Sequence, residues 1–186
     1  MNRRLFLVNA AGLTGLPLSI RAQSLALSPS PETVLLLRHA YAPGTGDPPV
    51  FRIGDCSTQR NLDDAGRRQA SRMGESLKQM GFARARVWSS QWCRCLETAR
   101  LLDIGPVQEL PALNSFFSQP QQQALHVSAL RDFLSGVPLG EGPMILVTHQ
   151  VLITALTGSW VDSGEGAAFS RDAAGKLTFK GPVQFR

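Results

Sequence analysis

Two polar segments, each following an apolar run, contain the residue types best suited to phosphoryl chemistry. Arg38 and His39 come directly after residues 33–37. One residue, Thr148, separates His149 from the apolar run 144–147. A neutral imidazole is a good nucleophile near pH 7, and a guanidinium binds an oxyanion through two parallel hydrogen bonds. These segments therefore indicate chemistry on an anionic group such as a phosphate.

A third apolar segment brings a second arginine. Residues 86–88 are followed by two serines, and Arg94 lies about one helical turn further on. An arginine or histidine at the end of a buried strand loses hydration, which is costly unless a partner replaces it. A bound phosphate dianion would be such a partner. We therefore predict that Arg38, His39, Arg94 and His149 gather into one site.

The elements that must position these residues follow from the apolar pattern. Continuous apolar runs without alternation are typical of strands buried on both faces of a parallel sheet. The predicted order is strand, helix, strand, helix, helix, strand, helix, which favours a three-layer α/β/α sandwich with a mostly parallel central sheet. Ligands of such sheets bind at the carboxyl ends of the strands, where Arg38, His39 and His149 are expected.

Proline, glycine and capping residues delimit the other elements. Residues 42–61 contain three prolines and three glycines, which predicts a long loop, and long loops in compact domains are usually functional. The remaining predicted elements are a helix that begins at Asp63 or Asp64 and ends at Gly81, helices over about 92–102, 120–134 and 151–156, and a hairpin over 167–185 that turns at 172–175.

The N-terminal residues have the order of a secretory signal. Two arginines are followed by an apolar stretch and then by small residues spaced Ala-x-Ser at 22–24. Arg-Arg-Leu-Phe-Leu also resembles a twin-arginine export signal. We predict a signal peptide over 1–24, a linker over 25–32, one domain over 33–186, and export to the periplasm. The alternatives are a retained anchor helix and a misassigned start with a disordered tail. A stable membrane span is disfavoured, because the apolar stretch is short and is interrupted by Gly and Pro.

The charge of the chain argues against nucleic acid as a partner. The net charge is +5, and residues 1–24 hold three arginines and no acidic residue, which leaves +2 for the rest. No run of Lys and Arg with interleaved aromatic residues is present. A small anionic substrate is compatible with this balance.

The three cysteines allow one disulfide in an oxidising compartment. Cys93 and Cys95 are two residues apart on a predicted helix and therefore face different directions. Cys56 is expected to pair with one of them, and three unpaired thiols are the alternative. No Cys or His residues have zinc-ligand spacing.

Four sequence motifs together resemble the histidine phosphatase superfamily, which includes the cofactor-dependent phosphoglycerate mutases. They come in the order of that family and span most of residues 33–157. Within the family, the sequence resembles the exported branch similar to lipopolysaccharide core heptose phosphate phosphatases, which also has a signal, a Cys-containing loop after the first motif and a short chain. The motifs are Leu-Leu-Leu-Arg-His-Ala (35–40), Asn-Leu-Asp-Asp-Ala-Gly-Arg-Arg-Gln-Ala (61–70), Ser-Ser-Gln-Trp-Cys-Arg-Cys-Leu-Glu-Thr-Ala (89–99) and Val-Thr-His-Gln (147–150).

The resemblance implies a role for each site residue. His39 would be the nucleophile that takes the phosphoryl group, which water then releases. Arg38 and Arg94 would hold the phosphate oxygens, and His149 would add a hydrogen-bond donor. Thr45 and Ser90 are further candidates for phosphate contact. The substrate would be a phosphorylated small molecule, and no metal or other cofactor is implied.

The usual general acid of the family is missing from its two expected positions. Ser115 stands where the mutase-like branch has Glu, and Gln150 stands where the other large branch has Asp. Asp55, Glu97 and Glu109 are possible substitutes, although each also has an ordinary loop or surface role. Without an acid, phosphate esters of poor leaving groups should react slowly, so we expect a preference for leaving groups of low pKa.

Three other functions are compatible with parts of the sequence. A catalytically weak or inactive relative would keep the arginines, bind phosphorylated ligands and leave them intact. A phosphoglycerate mutase is disfavoured by the export signal and the short chain. A structural or interaction protein would leave two histidines and two arginines at predicted strand ends unexplained.

Overall fold

The computed structural model describes residues 28–185. The predicted signal peptide over 1–24 lies outside the described residues, as does the first part of the predicted linker. The structure contains a six-stranded sheet in the order β3-β2-β4-β1-β5-β6. Its strands are β1 (Thr33–Arg38), β2 (Arg86–Ser89), β3 (Val107–Glu109), β4 (Met144–Thr148), β5 (Gly166–Arg171) and β6 (Leu177–Val183).

The first four strands of the sheet are parallel, and the last two form an antiparallel hairpin at one edge. β1 pairs in parallel with β4, and β2 pairs in parallel with both β4 and β3. β5 runs antiparallel to β1, and β6 runs antiparallel to β5. The mostly parallel sheet and the final hairpin predicted from the sequence are both confirmed.

Helices cover the two faces of the sheet and form two separate halves of the core. α1 and α2 pack with Leu35 and Leu37 of β1, whereas α3 and α4 pack with Val34 and Leu36 of the same strand. Because successive side chains of a strand point to opposite faces, an uninterrupted apolar run fills both halves. The predicted three-layer α/β/α sandwich is therefore confirmed. Its helices are α1 (Asp64–Gln79), α2 (Cys93–Leu101), α3 (Gln123–Gly136) and α4 (Gln150–Thr157).

Two elements differ from the sequence prediction. The strand β3 was not predicted, because it has only three residues, none of them buried, and therefore carries no apolar pattern. The predicted helix over 120–134 begins as a 3-10 turn at Pro120–Gln122 before α3 starts. Within residues 28–185, no helix has the length and apolar character needed to cross a membrane.

The register of the parallel strands brings the predicted site residues together. Arg38 at the end of β1 is paired with Thr148 at the end of β4, so His39 and His149 each lie one residue beyond their strand. The backbone N–H of His39 donates to the carbonyl of Thr148 at 3.0 Å. The two histidines thus lie side by side at the carboxyl edge of the sheet.

Candidate active site

His39 is held in one tautomer by its two ring nitrogens. Nδ1 lies 2.7 Å from the carbonyl oxygen of Ala40, and because a carbonyl only accepts, Nδ1 carries the proton. Nε2 accepts a hydrogen bond from the Nε–H of Arg94 at 3.2 Å. Both contacts leave the lone pair of the imidazole on Nε2. This nitrogen faces the arginine, as a nucleophile for a bound anion should.

His39 is also kept neutral by its surroundings. The side chain is buried, and burial together with the charge of Arg94 lowers the pKa of His39 to about 3. The carbonyl of Ala40 acts in the opposite direction, but more weakly. His39 therefore presents an uncharged imidazole throughout the neutral pH range, which is the form that attacks an electrophile.

Arg94 is buried in the first turn of α2 and contacts both His39 and a carboxylate. Its Nη1 and Nη2 donate to the two oxygens of Asp47 at 2.6 and 3.0 Å. Its Nη1 also donates to the carbonyl of Arg60 at 3.3 Å. Because the Nε–H of Arg94 donates to His39, one guanidinium bridges the histidine and the aspartate.

Arg38 supplies a second guanidinium with unused donor capacity. Its Nη1 donates to the carbonyl of Val161 at 2.9 Å, and its guanidinium lies 5.1 Å from the ring centre of Trp160. Its Nε is buried and has no hydrogen-bond partner among the described residues. Burial lowers the pKa of Arg38, Asp162 opposes this effect, and the charge of Arg94 adds to it. An anion between the two arginines would relieve their repulsion.

His149 forms a hydrogen-bonded chain with Ser90 and Asn114. The amide oxygen of Asn114 accepts from the backbone N–H of Gln91 at 2.9 Å, which fixes the orientation of the amide. The hydroxyl of Ser90 must therefore donate to that oxygen, at 3.1 Å, and accept from Nε2–H of His149, at 2.9 Å. His149 is thus a neutral donor, and burial lowers its pKa well below the ordinary value. Its ring centre lies 5.5 Å from that of His39.

Two charged residues of the site were missed by the sequence analysis, and both lie in or next to the long loop 42–61. Asp47 binds Arg94, accepts from the indole N–H of Trp92 at 3.0 Å, and accepts from the backbone N–H of Arg60 at 3.2 Å. The side chain of Arg60 donates to the carbonyls of Gly46 and Ala42 at 2.7 and 2.5 Å. A loop has no periodicity that would single out these positions.

The other predicted candidates do not join the site. Thr45 is exposed, and its hydroxyl has no hydrogen bond to another described residue. Asp55 caps the 3-10 turn that starts at Cys56 by accepting from Ser57. Glu97 is in an ion pair with Arg67, and Glu109 accepts a hydrogen bond from Gln91 at 3.2 Å. Each of the three proposed substitute acids has the ordinary structural role weighed against it.

Motif residues on α1 position the loop that follows His39. The backbone N–H of Tyr41 donates to the side-chain oxygen of Gln69 at 2.7 Å, and Gln69 in turn donates to the carbonyl of Ser163 at 2.6 Å. An ideal Cβ on Gly66 would lie only 1.9 Å from the carbonyl oxygen of Tyr41. Glycine and glutamine at these positions therefore allow α1 to hold the site loops by close contact.

Thr98 of the third motif connects α2 to the strand that carries His39. The backbone N–H of Ala40 donates to the hydroxyl oxygen of Thr98 at 3.0 Å, and this hydroxyl donates to the carbonyl of Arg94 at 2.6 Å. The threonine is fully buried. Thr98 therefore fixes the distance between Ala40, the residue after His39, and the helical turn that carries Arg94.

A disulfide joins the long loop to the start of α2. Cys56 pairs with Cys93, which is one of the pairings that the sequence left open. Cys95 is a free, buried thiol whose sulfur lies 3.4 Å from Nε2 of His149. Burial raises the pKa of Cys95 to about 12, so this thiol stays protonated and is not a nucleophile.

A cavity of about 600 Å³ opens beside the site. Asp47 and Trp92 line its wall on the side of Arg94, and Asn114 lines it on the side of Ser90. Most of the other lining residues are apolar or uncharged: Pro48, Pro49, Phe51, Ile53, Pro111, Ser115, Phe117, Ser118, Gln119 and Gln122, with His126. Over the described part of the chain, no three His, Cys, Asp or Glu side chains cluster as metal ligands.

Chemically, this arrangement can bind and attack a phosphoryl group. Arg38 and Arg94 provide positive charge and planar donors, and His149 provides a neutral N–H. His39 presents a lone pair on Nε2 at the same place. The cavity next to Asp47 leaves room for the rest of a substrate.

Comparisons with known proteins agree with this description. The model of the histidine phosphatase superfamily (branch 1) matches residues 34–117, which confirms the resemblance inferred from the motifs. The matched segment contains Arg38, His39 and Arg94, whereas His149 lies beyond it. Among curated proteins, no sequence matches the chain.

Solved structures with the same fold are distant in sequence. The protein histidine phosphatase SixA in complex with tungstate is 19% identical, with 81% of this chain and 96% of that chain covered and a TM-score of 0.56. The open reading frame Rv3214 from Mycobacterium tuberculosis is 16% identical, with 83% and 98% covered and a TM-score of 0.62. The mycobacterial glucosyl-3-phosphoglycerate phosphatase Rv2419c with VO3 is 15% identical, with 83% and 98% covered and a TM-score of 0.58. At these identities the likeness shows the fold.

Proposed function

We propose that this chain, as a member of the histidine phosphatase superfamily, is a phosphatase that hydrolyses a phosphorylated small molecule through a phosphohistidine on His39. The observation that carries the proposal is the Nε2 lone pair of His39, fixed by Ala40 and facing the guanidinium of Arg94. A neutral, oriented imidazole next to an oxyanion binder is what phosphoryl transfer to nitrogen requires.

In the proposed reaction, Arg38 and Arg94 hold the phosphoryl oxygens while Nε2 of His39 attacks phosphorus. His149 turns its Nε2–H from Ser90 to the charge that develops on these oxygens. Phosphoryl transfer depends mostly on position and charge stabilisation, which this set of residues supplies. Water then attacks the phosphohistidine, releases phosphate and returns the lone pair to Nε2. We propose that no metal takes part, because the two guanidiniums provide the positive charge.

Two structurally similar proteins add support from their ligands. SixA was solved with tungstate, and the glucosyl-3-phosphoglycerate phosphatase was solved with VO3. Both ligands are oxyanions like phosphate. Their binding by proteins of this fold favours an oxyanion-binding site in this chain.

We also propose that the protein is exported to the periplasm, by the twin-arginine route or the general one. The signal-like order of residues 1–24 is the main support. The Cys56–Cys93 disulfide agrees with it, because disulfides persist in oxidising compartments. Detection of the processed chain in a periplasmic extract would test this.

Hydrolysis of 4-nitrophenyl phosphate in the presence of EDTA tests the function directly. We expect the wild-type protein to release phosphate and His39→Ala to be inactive. A quench at alkaline pH, where a phosphoramidate survives, should trap a phosphorylated wild-type protein and no phosphorylated variant. Thermal unfolding of both proteins controls for loss of the fold.

The second candidate is a protein that binds a phosphorylated ligand without hydrolysing it. The observation that favours it is the absence of a carboxylate at Ser115 and Gln150, the two usual positions. In that case orthophosphate would bind in calorimetry, but no ester in the assay would release phosphate. That combination of results would replace the phosphatase proposal.

A further inference from the structure

We propose that Asp47 is the general acid of this phosphatase and that the leaving group occupies the cavity beside it. The proposal rests on the phosphatase function proposed above. It assigns a catalytic role to a loop residue that none of the four motifs contains.

The position of Asp47 is the first reason. Both of its carboxylate oxygens are bound to Arg94, the arginine whose Nε–H contacts His39. The carboxyl group is therefore separated from the nucleophile by a single guanidinium. Hydrogen bonds from Trp92 and from the backbone of Arg60 fix its direction. A general acid must be fixed at the reacting group in this way.

The second reason is the cavity that Asp47 lines. Its side chain keeps 16% of its surface exposed, although Arg94 is buried. Asp47 shares the wall of the cavity with Ser115, the residue that stands where mutase-like relatives carry glutamate. A carboxyl group from the loop 42–61 thus lines the same space as Ser115. The acid lost at one position is available from another.

Within residues 28–185, no second acidic side chain lines this cavity. Among the described residues that line it, Asp47 is the only Asp or Glu. Asp55, Glu97 and Glu109 are bound to Ser57, Arg67 and Gln91 and line other surfaces.

Substrate binding itself would load Asp47 with a proton. Burial, the largest single effect, raises the pKa of Asp47, but the hydrogen bonds from Arg94, Trp92 and the backbone of Arg60 and the charge of Arg94 together outweigh burial, so the pKa lies below its ordinary value. A phosphate dianion takes donors of Arg94 for its own oxygens and adds negative charge nearby. Both effects raise the pKa of the carboxyl group. Asp47 is therefore ionised in the empty site, and it takes up a proton from the solvent when the substrate binds.

The two chemical steps balance with Asp47 as acid and then base. In the first step, Nε2 of His39 bonds to phosphorus as the bond to the leaving oxygen breaks, and this oxygen takes the proton of Asp47. In the second step, Asp47 takes a proton from a water molecule as the water oxygen bonds to phosphorus. The Nε2–phosphorus bond breaks, and its electron pair returns to His39. Phosphate leaves, Arg94 binds both carboxylate oxygens of Asp47 again, and Asp47 releases its proton to the solvent.

A leaving-group series tests the role of Asp47. The wild type, Asp47→Asn and Asp64→Asn are compared on 4-nitrophenyl phosphate, phenyl phosphate and an alkyl phosphate. Asp64 is a matched control, because its ion pair with Arg67 lies on the surface. For Asp47→Asn we expect kcat/KM to fall roughly 100-fold to 10,000-fold on the alkyl ester and less than about 10-fold on the nitrophenyl ester. The control should keep the wild-type values on all three esters.

Several results would overturn the proposal. An equal loss on all three esters would assign Asp47 a purely structural role. Faster turnover of all esters would show that Asp47 only occupies the phosphate position on Arg94. Calorimetric binding of orthovanadate to Asp47→Asn shows whether the site is intact. If the variant is folded and binds orthovanadate, and its rates depend on the leaving group as those of the wild type do, Asp47 is not the general acid. A wild type that cleaves none of the esters would contradict the proposed function itself.

Discussion

Arg94 connects His39 to the carboxylate of Asp47. One planar guanidinium donates to His39 through Nε and to Asp47 through both Nη atoms. A lysine at this position would offer a single mobile charge and no fork that reaches both partners. The site therefore depends on the shape of arginine as much as on its charge.

The buried neutral state of His39 makes the stability of the protein sensitive to acid. In the unfolded chain His39 takes up a proton below pH 6.5, whereas in the folded protein its pKa is lowered to about 3. Stability from the neutral imidazole is therefore complete above pH 6.5 and is lost as the pH falls toward 3. We expect the His39 contribution to decrease by about 2 kcal/mol between pH 7 and pH 5.

Urea unfolding of the wild type and His39→Gln at several pH values measures this contribution. The glutamine variant should lose less stability than the wild type on acidification, by about the same 2 kcal/mol. Parallel curves for the two proteins would mean that His39 titrates normally in the folded state. An NMR titration of the His39 ring, with its proton on Nδ1, gives an independent measurement.

At the level of residues, the sequence predicted the parts of the site that strands and helices determine. His39 and His149 lie at strand ends, and Arg94 lies in the first turn of α2, so the register of the sheet places them together. Asp47 and Arg60 escaped prediction because their positions depend on hydrogen bonds within and around a loop. The sequence of an irregular segment does not predict which group a charged side chain in it will bind.

At the level of elements, the loop 42–61 and the helix α2 act as one unit. The loop carries Asp47, and the helix begins beside Arg94. The disulfide from Cys56 to Cys93 joins them next to this ion pair, and the backbone N–H of Cys93 donates to the side chain of Gln59 at 2.9 Å. The disulfide therefore limits how far the loop can move from the arginine.

Loss of this disulfide should weaken both stability and catalysis. The bond closes a segment with a sequence separation of 37 residues. A cross-link of this kind is worth roughly 2–4 kcal/mol. We expect Cys56→Ser/Cys93→Ser to lose that much free energy of unfolding. Its KM for 4-nitrophenyl phosphate should rise, because the loop no longer holds Asp47 and Trp92 in place.

Unfolding and kinetics with and without a reducing agent check this prediction. The reductant should bring the free energy of unfolding and the KM of the wild type close to those of the double serine variant. Both values of the variant should stay unchanged. Cys95 is the internal control, since its buried thiol is free in both proteins. Equal stability of the two proteins would mean that the packing of Phe51 on Trp92, with ring centres 4.8 Å apart, already holds the loop.

Among the elements, length decided what the sequence could predict. β1 and β4 have six and five residues, and each contains four consecutive buried apolar side chains. Their assignment as parallel strands was confirmed. β3 has three residues and owes its pairing to the neighbouring β2. Such a strand is defined by its partner, so a single sequence gives no local sign of it.

At the scale of the whole molecule, the charges of the site separate into two regions. The phosphate end contains Arg38 and Arg94, with Arg60 nearby. The cavity beside it is lined mostly by apolar, amide and hydroxyl side chains, with His126 and Asp47, and none of the described lining residues is Lys or Arg. The only acidic group there is Asp47, and Phe117 leaves 57% of its surface exposed at the wall. This arrangement suits a leaving group with an apolar face and no negative charge.

Aryl phosphates that differ only in charge test this preference. Phenyl phosphate is compared with its 4-carboxymethyl and 4-aminomethyl derivatives, in which a methylene keeps the acidity of the phenol nearly constant. Because none of the described lining residues is a Lys or Arg that could pair with it, a carboxylate in this cavity loses hydration without compensation, which should lower kcat/KM for the carboxymethyl ester roughly 10-fold relative to the aminomethyl ester. Phe117→Ala should raise KM for all three esters, whereas Phe179→Ala, an exposed phenylalanine on β6, should not. Preference for the anionic ester would place the leaving group outside this cavity.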